Sequence, residues 1–277
     1  MKKKGLTNQK WFSAVFWLVI LVVVWELGAF IVAGTKRTPE NILPHVHQII
    51  AEIFSGKPVS NGMSALGVVI TSAKATLGRA LLGFLLGTGV GFLLALLMQL
   101  SGIVEKMLFP YLKLIQLIPV LGLAPIILSI TGDINTSRVV IAGILSFYPV
   151  ATNTLAGFKS VSKEKYDLMY ILAAKKATIY KKVLIPSCVP YFFTGTKIAA
   201  PLAITASILV DTLQGDGGMG CMLSQSLKHA MSIYVFWLIV LFSAFIGIFS
   251  GVLMGWIETL VTPQKRAEKR RQKGADA

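Results

Sequence analysis

Six apolar stretches dominate the chain, near Trp11 to Ala33, Leu77 to Leu100, Met107 to Ile130, Arg138 to Gly157, Tyr191 to Leu213 and Tyr234 to Thr259. At 1.5 Å per residue each is long enough to cross a hydrocarbon layer of about 30 Å as a helix. Only 14% of the residues are charged and 55% are apolar, whereas a soluble domain carries about a quarter charged residues. An all-α integral membrane protein of six spans is predicted. The charged start Met1-Lys2-Lys3-Lys4 resembles a signal n-region, but the apolar run after Trp11 is too long for an h-region and no small-x-small site closes it. It reads as a retained first helix.

The net charge of +15 is a topology signal. With the N-terminus inside, the inner segments hold Lys2, Lys3, Lys4, Lys10, Lys106, seven lysines from Lys159 to Lys182 and six Lys/Arg from Lys265 to Lys273. The outer segments hold only Lys36, Arg37, Lys57, Lys74, Arg138 and Lys228. Lys and Arg resist translocation, so both termini are expected in the cytoplasm. Charge gathered at membrane ends, facing anionic lipid, argues against nucleic-acid binding. The expected division is a cytoplasmic tail over 1-10, a membrane domain over 11-259 and a basic cytoplasmic tail over 260-277. Cys188 and Cys221 fall on opposite sides and should not pair. With His45, His47 and His229 scattered over outer loops, no tetrahedral metal site is suggested, although His45 and His47 could form a surface contact.

Several features predict internal architecture. In the outer segment Val46, Ile49, Ile50, Ile53 and Phe54 recur at spacings of three and four, one face of a short helix. Gly83, Gly87 and Gly91, and again Gly247, Gly251 and Gly255, form small-xxx-small frames that let a neighbouring backbone approach. Pro110, Pro119 and Pro125 should kink or break the third helix, which membrane depth tolerates only inside protein or beside a watery cavity. That helix is the first candidate for lining a path. Ionisable residues within the spans are Glu26, Arg79, Lys113, Lys197 and Asp211; snorkelling would account for the three cations. Uncharged polar groups orient a solute without the cost of a buried charge, so Gln116, Asn153, Thr205 and Ser207 are the candidate path residues, with interhelical hydrogen bonding as the competing use.

Between the fourth and fifth spans lies an amphipathic stretch, about 159-186. Asp167 is an expected N-cap, and Leu168, Ile171, Leu172 and Ile179 give an apolar stripe among lysines. From the residues alone such a stretch could lie on lipid, sit on the inner ends of the spans or dock into a cytoplasmic partner. The spacing from Asp167 through Leu168, Met169 and Ala173 to Pro186 resembles the cytoplasmic loop of binding-protein-dependent ATP-binding cassette (ABC) importer permeases, Glu-Ala-Ala, three residues, Gly, then apolar-x-Leu-Pro. Flanking stretches are similar to the nitrate/sulfonate/taurine branch: Thr76-Leu-Gly-Arg79 to Gly83-Phe84, Leu117-Ile-Pro119 to Ala124-Pro125, Phe147-Tyr-Pro149 to Asn153-Thr154-Leu-Ala-Gly157, Pro190-Tyr-Phe-Phe-Thr-Gly195, and Asp211 with Gly218-Met-Gly220.

The resemblance implies the MetI-like permease fold, a homodimer enclosing one path in a bacterial plasma (inner) membrane, and alternating access. It implies a cytoplasmic ABC ATPase subunit that holds ATP and Mg, and an extracytoplasmic solute-binding protein. Asp167, Leu168, Ile171, Leu172, Ala173, Ile179 and Pro186 would meet the ATPase. Two departures stand out. Ala173 replaces the glycine of a sharp turn, so a smoother turn is expected, and Ser129-Ile-Thr131-Gly132 replaces Trp-Phe-Gly. The chain itself has no P-loop: Gly157-Phe-Lys159-Ser160 lacks the leading glycine and the adjacent Gly-Lys. No catalytic residue and no cofactor are expected in it. The substrate would be a small organic or inorganic anion or a heterocycle. A secondary transporter is the alternative, and it would want an ionisable relay near the midplane.

Overall fold

A computed structural model describes residues 4–60, 62–214, 217–228 and 232–262. The C-terminal tail expected over 260-277 lies almost wholly outside them. The elements are α1 (Lys4–Thr35), α2 (Val46–Phe54), β1 (Pro58–Ser60), β2 (Met63–Ser64), α3 (Ala65–Leu100), α4 (Gly102–Leu117), α5 (Ala124–Thr131), α6 (Ile134–Lys159), α7 (Lys163–Ile171), α8 (Lys176–Ile179), α9 (Ile185–Gln214), α10 (Met219–Leu227) and α11 (Ile233–Val261). The described residues form two compact units, one from 4–71 with 222–241 and one from 72–221 with 242–262.

Among the described residues five helical segments are long and apolar enough to cross a membrane: Val15–Thr35, Ala65–Leu100, Ile134–Lys159, Lys176–Leu213 and Ile233–Val261. The third apolar stretch of the sequence is not one continuous helix. α4 ends at Leu117 because Pro119 holds Ile118 extended, at φ −76° and ψ 131°. A 3-10 turn over Val120–Leu123 comes next, then α5. α4 and α5 have 16 and 8 residues, about 24 and 12 Å, so neither spans alone. Gly132, at φ +68°, closes α5, and its N–H returns to Leu128 O.

In the first unit α1 is held to the following loop by the Trp25 indole, which donates to Pro44 O at 3.0 Å. Trp25 also packs edge-on to Trp237, centroids 4.6 Å apart, and Trp237 donates to Ile42 O at 3.3 Å. Paired indoles with polar tips are typical of a membrane–water boundary. α2 buries Ile49 and leaves Ile50 and Phe54 exposed.

The second unit is built on close helix contacts. A Cβ at Gly83 would meet Val139 O at 2.6 Å and one at Gly91 would meet Phe147 O at 2.6 Å, while one at Gly87 would run into Gly143 O. The register advances in the same direction on both helices, so α3 and α6 lie parallel. Gly157 against Cys188 and Gly195 against Val150 run in opposite directions, making α6 and α9 antiparallel. The frame on α11 differs: a Cβ at Gly247, Gly251 or Gly255 would meet nothing nearer than 3.5 Å. Sealed between the closely packed faces are Phe84, Ile141, Ala142, Val150, Ala199, Ala203, Ala206 and Val210.

Gly87→Val puts methyls where a carbonyl stands and should lower stability by about 1–3 kcal/mol, the usual range for overpacking. Gly89→Ala, which meets nothing within 4 Å, should leave the thermal midpoint in detergent unchanged or slightly raised.

Candidate functional site

Where the α4–α5 break faces α6 and α9, a cavity of about 380 Å³ opens. Gln116 from α4 and Asn153 from α6 both line it, with Tyr148 and Thr152 as further polar groups and Val120, Ile144, Leu145, Ile198 and Leu202 as apolar walls. The sequence explains the opening. Pro119 ends α4 early, and Pro149 has no N–H to offer Leu145 O, which loosens α6 at the same level. Asn153 Nδ2 donates to Pro149 O at 2.7 Å and the Thr152 hydroxyl to Tyr148 O at 2.9 Å. The lining holds no charged side chain, so its chemistry is that of neutral hydrogen bonding.

Thr205 and Ser207 are not brought to this cavity. Thr205 is exposed and its hydroxyl donates to Pro201 O at 3.0 Å, although it follows Ile198 and Leu202 at spacings of seven and three. Ser207 is fully buried and donates to Thr76 O at 3.2 Å. It is an interhelical hydrogen bond, the competing use expected for such residues.

A second polar cluster was only half legible. Asp211 of α9 is completely buried between Arg138 Nε at 3.0 Å and Arg79 Nη2 at 3.3 Å. Its Oδ2 accepts the Thr76 hydroxyl at 2.6 Å, and that hydroxyl also accepts the Met219 N–H at 2.8 Å. Asn135 Oδ1 accepts from Arg79 Nη1 at 3.0 Å and Arg138 Nη1 at 3.4 Å. Arg79 therefore does not snorkel; it faces a carboxylate. Arg138, an outer-segment residue by charge counting, is the largest fully buried side chain. Lys197 is likewise paired, with Glu258 Oε2 at 2.5 Å. The sequence signal for both pairs was small: a cation and an anion at opposite positions of separate spans, with nothing to align them.

At the other end of α6 and α9 stands the stretch singled out by sequence. It is a helix pair, but Asp167 does not cap it. Ser162 stands at the N-cap of α7 and Asp167 falls in the middle. Ala173 also departs from expectation: at φ +47° it is the one non-glycine among the described residues in the left-handed region, so the turn between α7 and α8 is sharp. Its N–H bonds Tyr170 O at 2.9 Å and the Ala174 N–H bonds Met169 O at 3.0 Å, which fixes it there. Leu168, Ile171 and Leu172 project to solvent, 56%, 78% and 65% exposed. Ile179 turns the other way and packs with Tyr166 and Tyr180 on the Leu155, Phe158, Leu184 and Cys188 core. Burial, and then the neighbouring Tyr180, push the Tyr166 phenol above its ordinary value. Pro186 lies inside a helical run that continues from Lys176 through a π-turn over Tyr180–Leu184 into α9.

Residues 87–263 match the family model of the binding-protein-dependent transport system inner membrane component. The chain belongs to this family of ABC importer permeases. Its curated relatives include the formylaminopyrimidine transport permease protein ThiX of Halalkalibacterium halodurans, 31% identical over 73% of this chain and 76% of the relative. The nitrate import permease protein NrtB of Synechococcus elongatus is 27% identical over 90% and 89%. The putative aliphatic sulfonates transport permease protein SsuC of Bacillus subtilis is 23% identical over 92% and 91%. An amino acid ABC transporter crystallised with histidines shares the fold, with TM-score 0.59, 19% identity and coverage of 70% of this chain and 94% of the other. The permease is thus a multi-pass membrane subunit of the nitrate/sulfonate type, a class of transport component rather than of enzyme.

Two substitutions probe this geometry. Removing the charge in Asp211→Asn leaves the buried Arg138 and the partly buried Arg79 without their counter-ion and should cost about 3–5 kcal/mol, read as a large fall in folded yield or thermal midpoint. Ala173→Gly relieves a left-handed alanine and should stabilise the permease by up to about 1 kcal/mol, read as a rise in thermal midpoint.

Proposed function

We propose that this permease forms the solute path of an ABC importer and is driven by a separate ATPase subunit that grips α7 and α8. The observation that carries the reading is the trio Leu168, Ile171 and Leu172. Three large apolar side chains stand in solvent on a lysine-rich helix pair whose opposite side, through Ile179 and Tyr166, is cemented to α6 and α9. Exposed anchors on a short helix with a rigid base suit a groove in a partner. ATP and Mg belong to that partner, whose closure would favour one of two packings of the membrane helices.

The path passes the cavity of Gln116 and Asn153, with Thr205 further along the α9 face that carries Ile198 and Leu202. Two permease copies enclose it, and a solute-binding protein delivers the solute from outside. Both termini lie in the cytoplasm of a bacterial cell, following the lysine distribution. Neutral hydrogen-bonding groups at the cavity support a small anion or a heterocycle, in keeping with the formylaminopyrimidine, nitrate and sulfonate named for the relatives.

The test is the double substitution Ile171→Asp and Leu172→Asp in the complete transporter. Charges placed in an apolar groove should cut ATPase capture and solute uptake at least tenfold, about 1.4 kcal/mol of docking, with the permease still present in the membrane. Unchanged uptake overturns the docking role, and uptake by permease alone in vesicles would favour a secondary transporter.

A further inference from the structure

The first unit holds a set of groups that the transport path does not use. Glu26 on α1, His45 at the N-cap of α2 and His47 in its first turn each offer a ligand atom, and these atoms all lie within 4.8 Å of one another. His45 Nδ1 stands 2.6 Å from Glu26 Oε2. The two imidazoles stack with centroids 5.4 Å apart and planes 26° apart.

The arrangement is held by contacts independent of any bound ion. Glu26 Oε1 accepts the Val46 N–H at 2.8 Å, and the His45 N–H donates to Gln48 Oε1 at 2.9 Å. Phe30 packs edge-on to the His45 ring at 5.3 Å. Trp25, beside Glu26, ties α1 to Pro44, beside His45. The backbones carrying the three ligands are therefore fixed, while His47 is exposed and its ring can turn.

Two imidazoles and one carboxylate match a borderline cation of the zinc type, whereas calcium and magnesium select all-oxygen sets. Ligand atoms about 2.0–2.1 Å from tetrahedral zinc stand about 3.4 Å apart. The His45–Glu26 separation must open slightly and His47 must draw in by a little over an ångström, a side-chain adjustment. A fourth position stays open to water or another donor.

We infer that Glu26, His45 and His47 bind one zinc-type divalent cation per chain, clasping the outer part of α1 to the start of α2. The 2.6 Å hydrogen bond between His45 Nδ1 and Glu26 Oε2 is the contact that the cation would replace.

The experiment uses the full-length permease in detergent, free of any affinity tag, titrated with Co2+ and read by its visible absorption and by metal per chain after gel filtration. One Co2+ per chain with tetrahedral-type bands, displaced by Zn2+, is expected. His47→Ala removes an exposed ring and Glu26→Gln keeps an acceptor for Val46, so both should fold. Each should weaken Co2+ binding at least about 100-fold, beyond the usual effect of outer-shell partners. His229→Ala should leave binding unchanged. The inference is overturned by wild-type protein that takes up no more Co2+ than His47→Ala, or by loss of binding in His229→Ala.

Discussion

An ionised group shut away from water must be answered by protein, and in this permease that demand falls most heavily on Asp211. Its desolvation would cost several kcal/mol alone. Arg79 on α3 and Arg138 on α6 supply the opposite charge, and the hydroxyl of Thr76 supplies a hydrogen bond. The same hydroxyl accepts the first N–H of α10. Four elements are thus joined through one carboxylate. Because one anion faces two cations, the cluster keeps a net positive charge, and Asn135 shares it by accepting from both guanidiniums. A geometry with this many simultaneous requirements is satisfied in one arrangement, which makes the joint a source of register as much as of stability.

Close packing completes what the charges align. Lipid offers no hydrophobic drive for helix association, so α3 and α6 need direct backbone approach, and Gly83, Gly87 and Gly91 provide it along three turns. The α11 frame has the same spacing without the same contact inside this chain, since only Lys197 and Pro201 come near. Spacing states an opportunity; the neighbour decides its use.

How far the sequence speaks depends on the range of the interaction. Apolar length in five of the six stretches and the glycine frame on α3 are local, and these appear where expected among the described residues. The break in the third stretch was legible because Pro119 acts on Ile118 directly. Gln116 and Asn153 meet at one cavity, since each sits beside a proline that opens its helix, whereas Ser207 went to Thr76 O across helices, a partner no spacing reveals. Arg138 and Glu258 were missed for the same reason: ion pairing between spans is a tertiary fact. Asp167 was misplaced because Ser162, five residues earlier, could start the helix equally well.

Ala173 shows what overrides a residue preference. A left-handed alanine costs about 1–2 kcal/mol, yet the chain adopts it where glycine would be free. The compensation is visible on both sides of the turn. Ala173 and Ala174 N–H groups close the end of α7 on Tyr170 and Met169, and Ile179 with Tyr166 and Tyr180 anchors the α8 side to the α6–α9 core. With both flanks fixed, the short turn of residues 172–175 has no smoother route. An alanine there also narrows the conformations open to the unfolded turn, as glycine would not. A handle that must carry force between a partner and the membrane helices gains from such stiffness, because a pliant elbow would absorb the motion it is meant to pass on.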